Sequence, residues 1–228
     1  IYPWGNSIPY NSYREYIKSK FGERVQKVSL NPGFTCPNRD GSKGTGGCIY
    51  CDNDSFTPNY LNNFNQLQNQ LEEGLDFLRR RYGVQKFIAY FQANSNTYAP
   101  LDHLKKIYQT ALSHEDVIGI AIGTRPDCID EQKIDFLQQL AKNYYVSIEY
   151  GLESANDEIL ESINRQHTVK DFETAVHLTA DKGIFITAHL ILGLPGESDE
   201  ILLNTAGYIS SLPLHYLKLH HLHVVRGT

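Results

Sequence analysis

The sequence predicts an α/β fold built around a six-stranded parallel sheet. Three observations carry that expectation. Six short apolar runs punctuate the chain, helical periodicity separates consecutive runs, and loops rich in Gly, Pro or Asn follow the first five. Residues 1–24 read as an N-terminal extension. Residues 25–30 form the first strand, and a cysteine-bearing loop runs from 31 to about 57. Leu67, Leu71, Leu75, Leu78 and Tyr82 mark one face of a helix that Gly83 stops. Residues 86–92 are the second strand, followed by a helix over 101–112 that turns Leu101, Leu104, Tyr108 and Leu112 inward. The third strand spans 117–123, and Ile134, Leu137 and Leu140 line the next helix.

Residues 146–152 make the fourth strand. Ser154 is the expected N-cap of a helix starting near Asn156, and a longer helix runs from 168 to 182, ending at Gly183. The fifth strand covers 184–192, a helix 198–211, and the sixth strand 216–225. Strands separated by helices are repeated βαβ units, hence a parallel sheet, either open and doubly wound or curled into a full or partial barrel. In both cases ligands gather at the carboxyl ends of the strands. The unusual loops lie there, including Gln92-Ala-Asn-Ser-Asn-Thr-Tyr98, Gly123-Thr-Arg-Pro-Asp127, Gly151-Leu-Glu-Ser154 and Gly193-Leu-Pro-Gly-Glu197.

Composition narrows the function classes. The chain of 228 residues suffices for a sizeable core, and 21 basic against 26 acidic residues leave a formal charge of −5. That balance gives no global attraction to nucleic acid or anionic membrane. No apolar stretch approaches the ~18 residues of a membrane span, and the start lacks signal-peptide layout. Four cysteines, three of them clustered, do not resemble a secreted disulfide framework, so a cytoplasmic protein is expected. The chain holds no methionine and ends at Arg226-Gly-Thr228 just after a strand-like run. A core domain over 1–228 that continues past its C-terminus is the expectation.

Cys36, Cys48 and Cys51 share one glycine-rich loop, in which Gly44, Gly46 and Gly47 let the chain curl back and bring Cys36 alongside the Cys48-Ile-Tyr-Cys51 pair. Thiolates select iron–sulfur clusters or zinc among common metals. Structural zinc closes with four ligands, and the fourth would have to be Cys128 or a distant histidine. A cluster held by three thiolates leaves one iron open for a small ligand. The alternatives are therefore a cluster enzyme and a zinc-stabilised α/β binding module. Cys128 itself reads as a buried, unreactive thiol.

This loop, with Thr35-Cys-Pro-Asn-Arg-Asp-Gly-Ser and Phe91-Gln-Ala-Asn-Ser-Asn-Thr-Tyr98, resembles the radical S-adenosylmethionine (SAM) enzymes. Within them it is similar to the bacterial YhcC-like proteins and the subgroup that includes the elongator catalytic subunit. The eleven residues between the first two cysteines depart from the usual three. The resemblance implies a (β/α)6 partial TIM-type barrel with the cluster loop after strand one. It implies that Cys36, Cys48 and Cys51 ligate a [4Fe-4S] cluster whose free iron is chelated by SAM. Tyr50 would pack on the adenine, while Gln92, Ala93 and Asn94 stand where the family contacts the methionine part. Glu153 and Arg165 match polar ligand-binding positions, Arg165 reaching the SAM carboxylate. Leu192 and Gly193 open the segment expected to cradle adenine, and His189 replaces an aspartate that often holds the ribose.

The implied activity is reductive cleavage of SAM to a 5′-deoxyadenosyl radical that abstracts hydrogen from a substrate, with a tRNA base the leading target. An oxidoreductase or transferase drawing electrons from a flavodoxin or ferredoxin is the corresponding enzyme class. A third reading is acid–base chemistry by His189 and Glu153. Arg125 suits either a ligand contact or a structural ion pair. On strand six, alternation sets Lys218 and His220 on one face, His221 and His223 on the other, with one face lining the barrel.

Overall fold

A computed structural model of the chain describes residues 1–52, 57–61 and 66–225. The C-terminal residues 226–228, invoked above for continuation of the chain, lie outside the described residues, as do 53–56 of the cysteine loop. The strands are β1 (Val25–Leu30), β2 (Lys86–Phe91), β3 (Val117–Thr124), β4 (Tyr145–Glu153), β5 (Phe185–Leu192) and β6 (Tyr216–His221). The helices are α1 (Tyr13–Phe21), α2 (Leu67–Tyr82), α3 (Leu101–Leu112), α4 (Glu131–Ala141), α5 (Asp157–Ser162), α6 (Val169–Thr179) and α7 (Asp199–Ser210).

All neighbouring strands pair in parallel, and their order across the sheet is the order of the sequence. No reversal of strand order interrupts the winding, which separates this sheet from the doubly wound kind. The sheet also curls. Lys218 on β6 hydrogen-bonds the Tyr90 hydroxyl on β2 at 3.0 Å, across four strand spacings. In a flat sheet those strands would lie ~19 Å apart, beyond the reach of the two side chains. Lys27 on β1 likewise meets Glu149 on β4. The architecture is a half-barrel, as expected.

Strand alternation divides the core in two. Val28, Leu30, Phe87, Ala89, Phe91, Ile120, Ile122, Val146, Ile148, Tyr150 and Leu152 point outward, buried under Leu71, Leu75, Leu104, Tyr108, Leu137, Phe172 and Val176 of the helical layer. The inner face is aromatic at the amino ends of the strands, where Tyr145 stacks on Phe185 at 4.9 Å and Phe185 on Tyr216 at 5.7 Å. Helix α1 closes this end with Tyr13, Tyr16, Ile17 and Phe21, edge-on to the same rings. Each such ring pair adds ~0.5–1.5 kcal/mol to the burial itself.

Three boundaries differ from the expectation by two residues or more. Asn156, not Ser154, caps α5. Its extended backbone lies immediately before the helix and its side chain accepts from the Ile159 N–H, whereas the Ser154 hydroxyl is buried without a partner. Helix α6 starts on the Thr168–Asp171 capping box but stops at Thr179, because Ala180 is already extended (ψ 147°) and the chain turns through Asp181 and Gly183 into β5. Strand β6 ends at His221, paired with Leu192. Beyond Leu192 the chain of β5 turns away at Gly193 (φ 86°), leaving 222–225 no further strand to pair with.

Candidate functional site

The cysteine loop is folded by its own backbone. The Cys36 carbonyl accepts from the N–H groups of Arg39 and Asp40, the Pro37 carbonyl from Lys43 and Gly44, and the Asn38 carbonyl from Gly47. Gly46 and Gly47 are consecutive left-handed residues (φ 83° and 82°), a conformation costly for any side chain with a Cβ. This double turn carries Cys48 back beside Cys36. The loop is then pinned to the barrel rim. Asn38 Nδ2 donates to the Asn164 carbonyl at 2.6 Å, Asn164 Nδ2 to the Gly47 carbonyl at 2.7 Å, and the Ile49 N–H to the Ile163 carbonyl at 3.1 Å.

Cys36, Cys48 and Cys51 all line one cavity of about 170 Å³ at the carboxyl ends of the strands. Gln92, Asn94, Glu153, Arg165, His189 and Tyr50 line it too. Cys48 is buried, and its Sγ accepts from Asn38 Nδ2 at 3.5 Å and Arg165 Nη1 at 3.6 Å. The Arg39 guanidinium donates to the Cys51 carbonyl. Amide and guanidinium donors thus reach the Cys48 sulfur, while burial pushes the Cys51 thiol pKa up against the opposing pull of Arg39. Arg165 is fixed by a hydrogen bond to the Gly151 carbonyl at 2.8 Å and an ion pair with Glu153 at 3.3 Å, while its buried Nε has no partner among the described residues. Glu153 holds a left-handed backbone (φ 71°) at the end of β4. Asn94, also left-handed (φ 61°), ties its side chain to the Phe34 carbonyl at 2.8 Å, joining the second-strand loop to the cysteine loop.

Arg125 resolves as a structural ion pair that also borders the cavity. It forks onto Asp127 (2.9 and 2.8 Å) and donates to the carbonyls of Arg165 (2.7 Å) and Gln166, holding the Arg165 segment in place. Burial works against the Asp127 carboxylate, yet Arg125 and Lys43 outweigh it and draw its pKa down to about 2. Cys128 lies outside the thiol cavity. Burial pushes its pKa up to about 11, as expected of an unreactive thiol.

A second cavity of about 310 Å³ adjoins the first, sharing Tyr50, Cys51, Tyr90, Gln92, Glu153 and His189 with it. Ala93, Asp52 and the β6 residues Lys218, His220 and His221 are also part of its wall. The strand-six face that enters the barrel is that of Lys218 and His220. His221 and His223 lie together, as expected of one face, their rings 4.0 Å apart, but β6 has ended at His221 and both also border this cavity. Leu192 and Gly193 line neither cavity. Gly193 turns the chain, and its N–H donates to Glu197 Oε2 at 2.8 Å.

Sequence reasoning missed Glu149. Its side chain is 1% exposed, and its oxygens accept from Lys27 and, at 2.8 Å, from His189 Nε2, with Lys218 Nζ 3.9 Å away. Burial alone would raise its pKa, but Lys27, His189 and Lys218 together hold it well below the usual carboxylate range. The signal was present: β4 is polar or glycine at Ser147, Glu149, Gly151 and Glu153, an alternation that marks an inner face.

The donor set fits a cluster held at three corners. Three thiols from one loop face one cavity, hydrogen-bond donors reach a sulfur, and an orphaned guanidinium N–H borders the same space. Among the described residues no three His, Cys, Asp or Glu side chains, the three thiols included, are drawn together closely enough to hold a single metal ion. Residues 30–209 match the family model described as the radical SAM superfamily. The chain belongs to the radical SAM superfamily. Within the superfamily it groups with YtqA of Bacillus subtilis, 33% identical over 235 residues spanning all of this chain and 71% of that protein. It groups also with YhcC of Escherichia coli, 34% identical over 219 residues, covering 96% of this chain and 70% of the relative.

A shorter match joins 44% of the chain to 18% of the tRNA uridine(34) acetyltransferase of Methanocaldococcus jannaschii, at 35% identity over 101 residues. Among solved radical SAM structures, archaeal Elp3 of Methanocaldococcus infernus superposes with a TM-score of 0.62 at 20% identity, over 90% of this chain and 47% of its own. Coproporphyrinogen III oxidase (HemN) of Escherichia coli gives 0.60 at 15%, over 89% and 45%. At such identities the two share the half-barrel fold. The chain spans under half the length of either. No helix among the described residues is long and apolar enough to cross a membrane.

Proposed function

We propose that this radical SAM enzyme binds a [4Fe-4S] cluster through Cys36, Cys48 and Cys51 and cleaves SAM at its open iron. The observation that carries the reading is the convergence of the three thiols with Arg165 and Glu153 on one cavity at the carboxyl rim of a superfamily half-barrel. When bound, the cluster would supply one-electron reduction of SAM, whose cleavage gives methionine and a 5′-deoxyadenosyl radical able to take hydrogen from a substrate.

The chain's own residues bind, orient and exclude. Arg165 offers its orphaned Nε to the carboxylate of SAM, a charge-assisted contact suited to guanidinium geometry. Glu153, paired to the same guanidinium, and Gln92 and Asn94, which line the same cavity, are the acceptors offered to the amino group. Tyr50 packs against Ile159, Ile163, Ile191 and Leu194 and presents an apolar surface for adenine. His189, held by Glu149, faces the ribose. The aromatic floor and α1 close the barrel against solvent from below.

The electron donor is a flavodoxin- or ferredoxin-type protein, and a tRNA base is the substrate best supported by the acetyltransferase and Elp3 matches. The test is anaerobic reconstitution followed by iron and sulfide analysis and assay of 5′-deoxyadenosine. Wild-type protein should bind about four irons and release 5′-deoxyadenosine under reduction. Cys51→Ala should lose both the cluster and the product. Wild-type protein that assembles no cluster, or assembles one and leaves SAM intact, refutes the reading. Acceleration by bulk tRNA tests the substrate separately.

A further inference from the structure

We infer that Lys218, with His220 beside it, forms an oxyanion-binding subsite that takes a carboxylate or phosphate group of a small substrate. This inference rests on the proposed placement of cluster and SAM in the adjoining cavity. The argument begins with charge. Two ammonium groups, Lys27 and Lys218, flank the one buried carboxylate of Glu149 and share the ring of Tyr90, at 4.6 and 5.1 Å from its centroid. Glu149 is committed at short range to Lys27 and His189. Lys218 stands 3.9 Å from it, outside hydrogen-bond reach.

Among the described residues the Lys218 ammonium makes one hydrogen bond, to the Tyr90 hydroxyl at 3.0 Å, and an ammonium has three donors. Its side chain is 39% exposed, and it borders the cavity of about 310 Å³, so incoming groups can reach the remaining donors. The ring of His220 lies 5.3 Å from that of His189 on the same wall. Burial and the charge of Lys218 push the His220 pKa down to about 4, so at neutral pH it is an uncharged imidazole with one N–H to donate. Of the carboxylates on this wall Glu153 is paired with Arg165, and Asp52 also borders the cavity, so it is the remaining Lys218 donors, with the N–H of His220, that favour an anion at the β6 end.

Location makes the anion part of a substrate. The cavity holds one small ligand by volume, and it shares Tyr50, Gln92 and Glu153 with the thiol cavity. A molecule anchored by its acid group at Lys218 therefore abuts the residues assigned to SAM, at the β6 end of a continuous space.

Equilibrium dialysis of reconstituted protein against radiolabelled inorganic phosphate and, separately, radiolabelled acetate tests the assignment. Wild-type protein should retain one probe saturably. Retention of phosphate identifies a phosphorylated substrate, and retention of acetate a carboxylic acid. Lys218→Gln should weaken binding at least about tenfold, whereas Lys218→Arg, which keeps the charge, should retain it. Thermal melts verify that both variants are folded. Failure of wild-type protein to retain either probe, unchanged affinity in Lys218→Gln, or displacement of the probe by SAM would each overturn the inference. Iron content and SAM cleavage of the wild-type protein report on the proposed function independently, so the two failures are distinguishable.

Discussion

Gly151 is where a single methyl group would reach the site. A Cβ there would stand 2.4 Å from Glu153 Oε1 and 2.6 Å from Arg165 Nη2, both tips of side chains that can move aside. The fold should tolerate Gly151→Ala within ~1 kcal/mol, since no backbone is struck. The Arg165–Glu153 pair should shift, and the affinity of reconstituted protein for SAM should drop about tenfold, or ~1.4 kcal/mol. Calorimetric titration with SAM checks this; unchanged affinity would remove the pair from the cofactor site. Residue-level reading of the sequence found most of the cavity wall, because Cys36, Cys48, Cys51, Glu153 and Arg165 sit in loops with unusual composition. It passed over Asn38, whose amide bridges Cys48 Sγ and the Asn164 carbonyl, because an asparagine in a glycine-rich turn carries no distinguishing pattern.

At the scale of elements, the strands hold the rim loops in register, and β3 has little room for change. A Cβ at Gly119 would lie 2.0 Å from the Tyr145 carbonyl oxygen of β4, a backbone atom that cannot rotate away. Gly119→Ala should force the two strands apart and cost ~1–3 kcal/mol, measurable as a lower urea midpoint. A midpoint equal to wild type would mean that the β3–β4 pairing has slack the coordinates do not suggest. Six strands and most helices were legible from periodicity, since alternation and 3.6-residue spacing are local properties. The ends of β6 and α6 were not, because they depend on where a neighbouring strand stops and where the next must begin. Helix α1 was read only as an extension. Its role follows from Ile17 and three aromatic side chains meeting the floor of the barrel, contacts made far away in sequence.

For the molecule as a whole, three cysteines on one loop and Arg165 from beyond β4 converge on one space. Loading that space should therefore stabilise the entire fold, not the loop alone. A ligand present at a thousandfold excess over its dissociation constant adds ~4 kcal/mol. In a chain of this size that raises the melting temperature on the order of 10 °C. Differential scanning calorimetry of protein before and after anaerobic reconstitution measures the rise, and Cys51→Ala should show none. Equal melting temperatures in wild-type protein would argue that the thiols do not share a ligand.

By itself the sequence determined the parallel α/β class, the strand–loop order that puts polar side chains at the carboxyl rim, and the thiol trio on which the proposed chemistry rests. Those are matters of local periodicity and spacing. The tertiary structure decided which side chains face one another: Lys27 against Glu149, Lys218 against Tyr90, Arg165 against Cys48. These partners are separated by more than a hundred residues and meet because the sheet curls, a property of all six strands acting together that no single segment records.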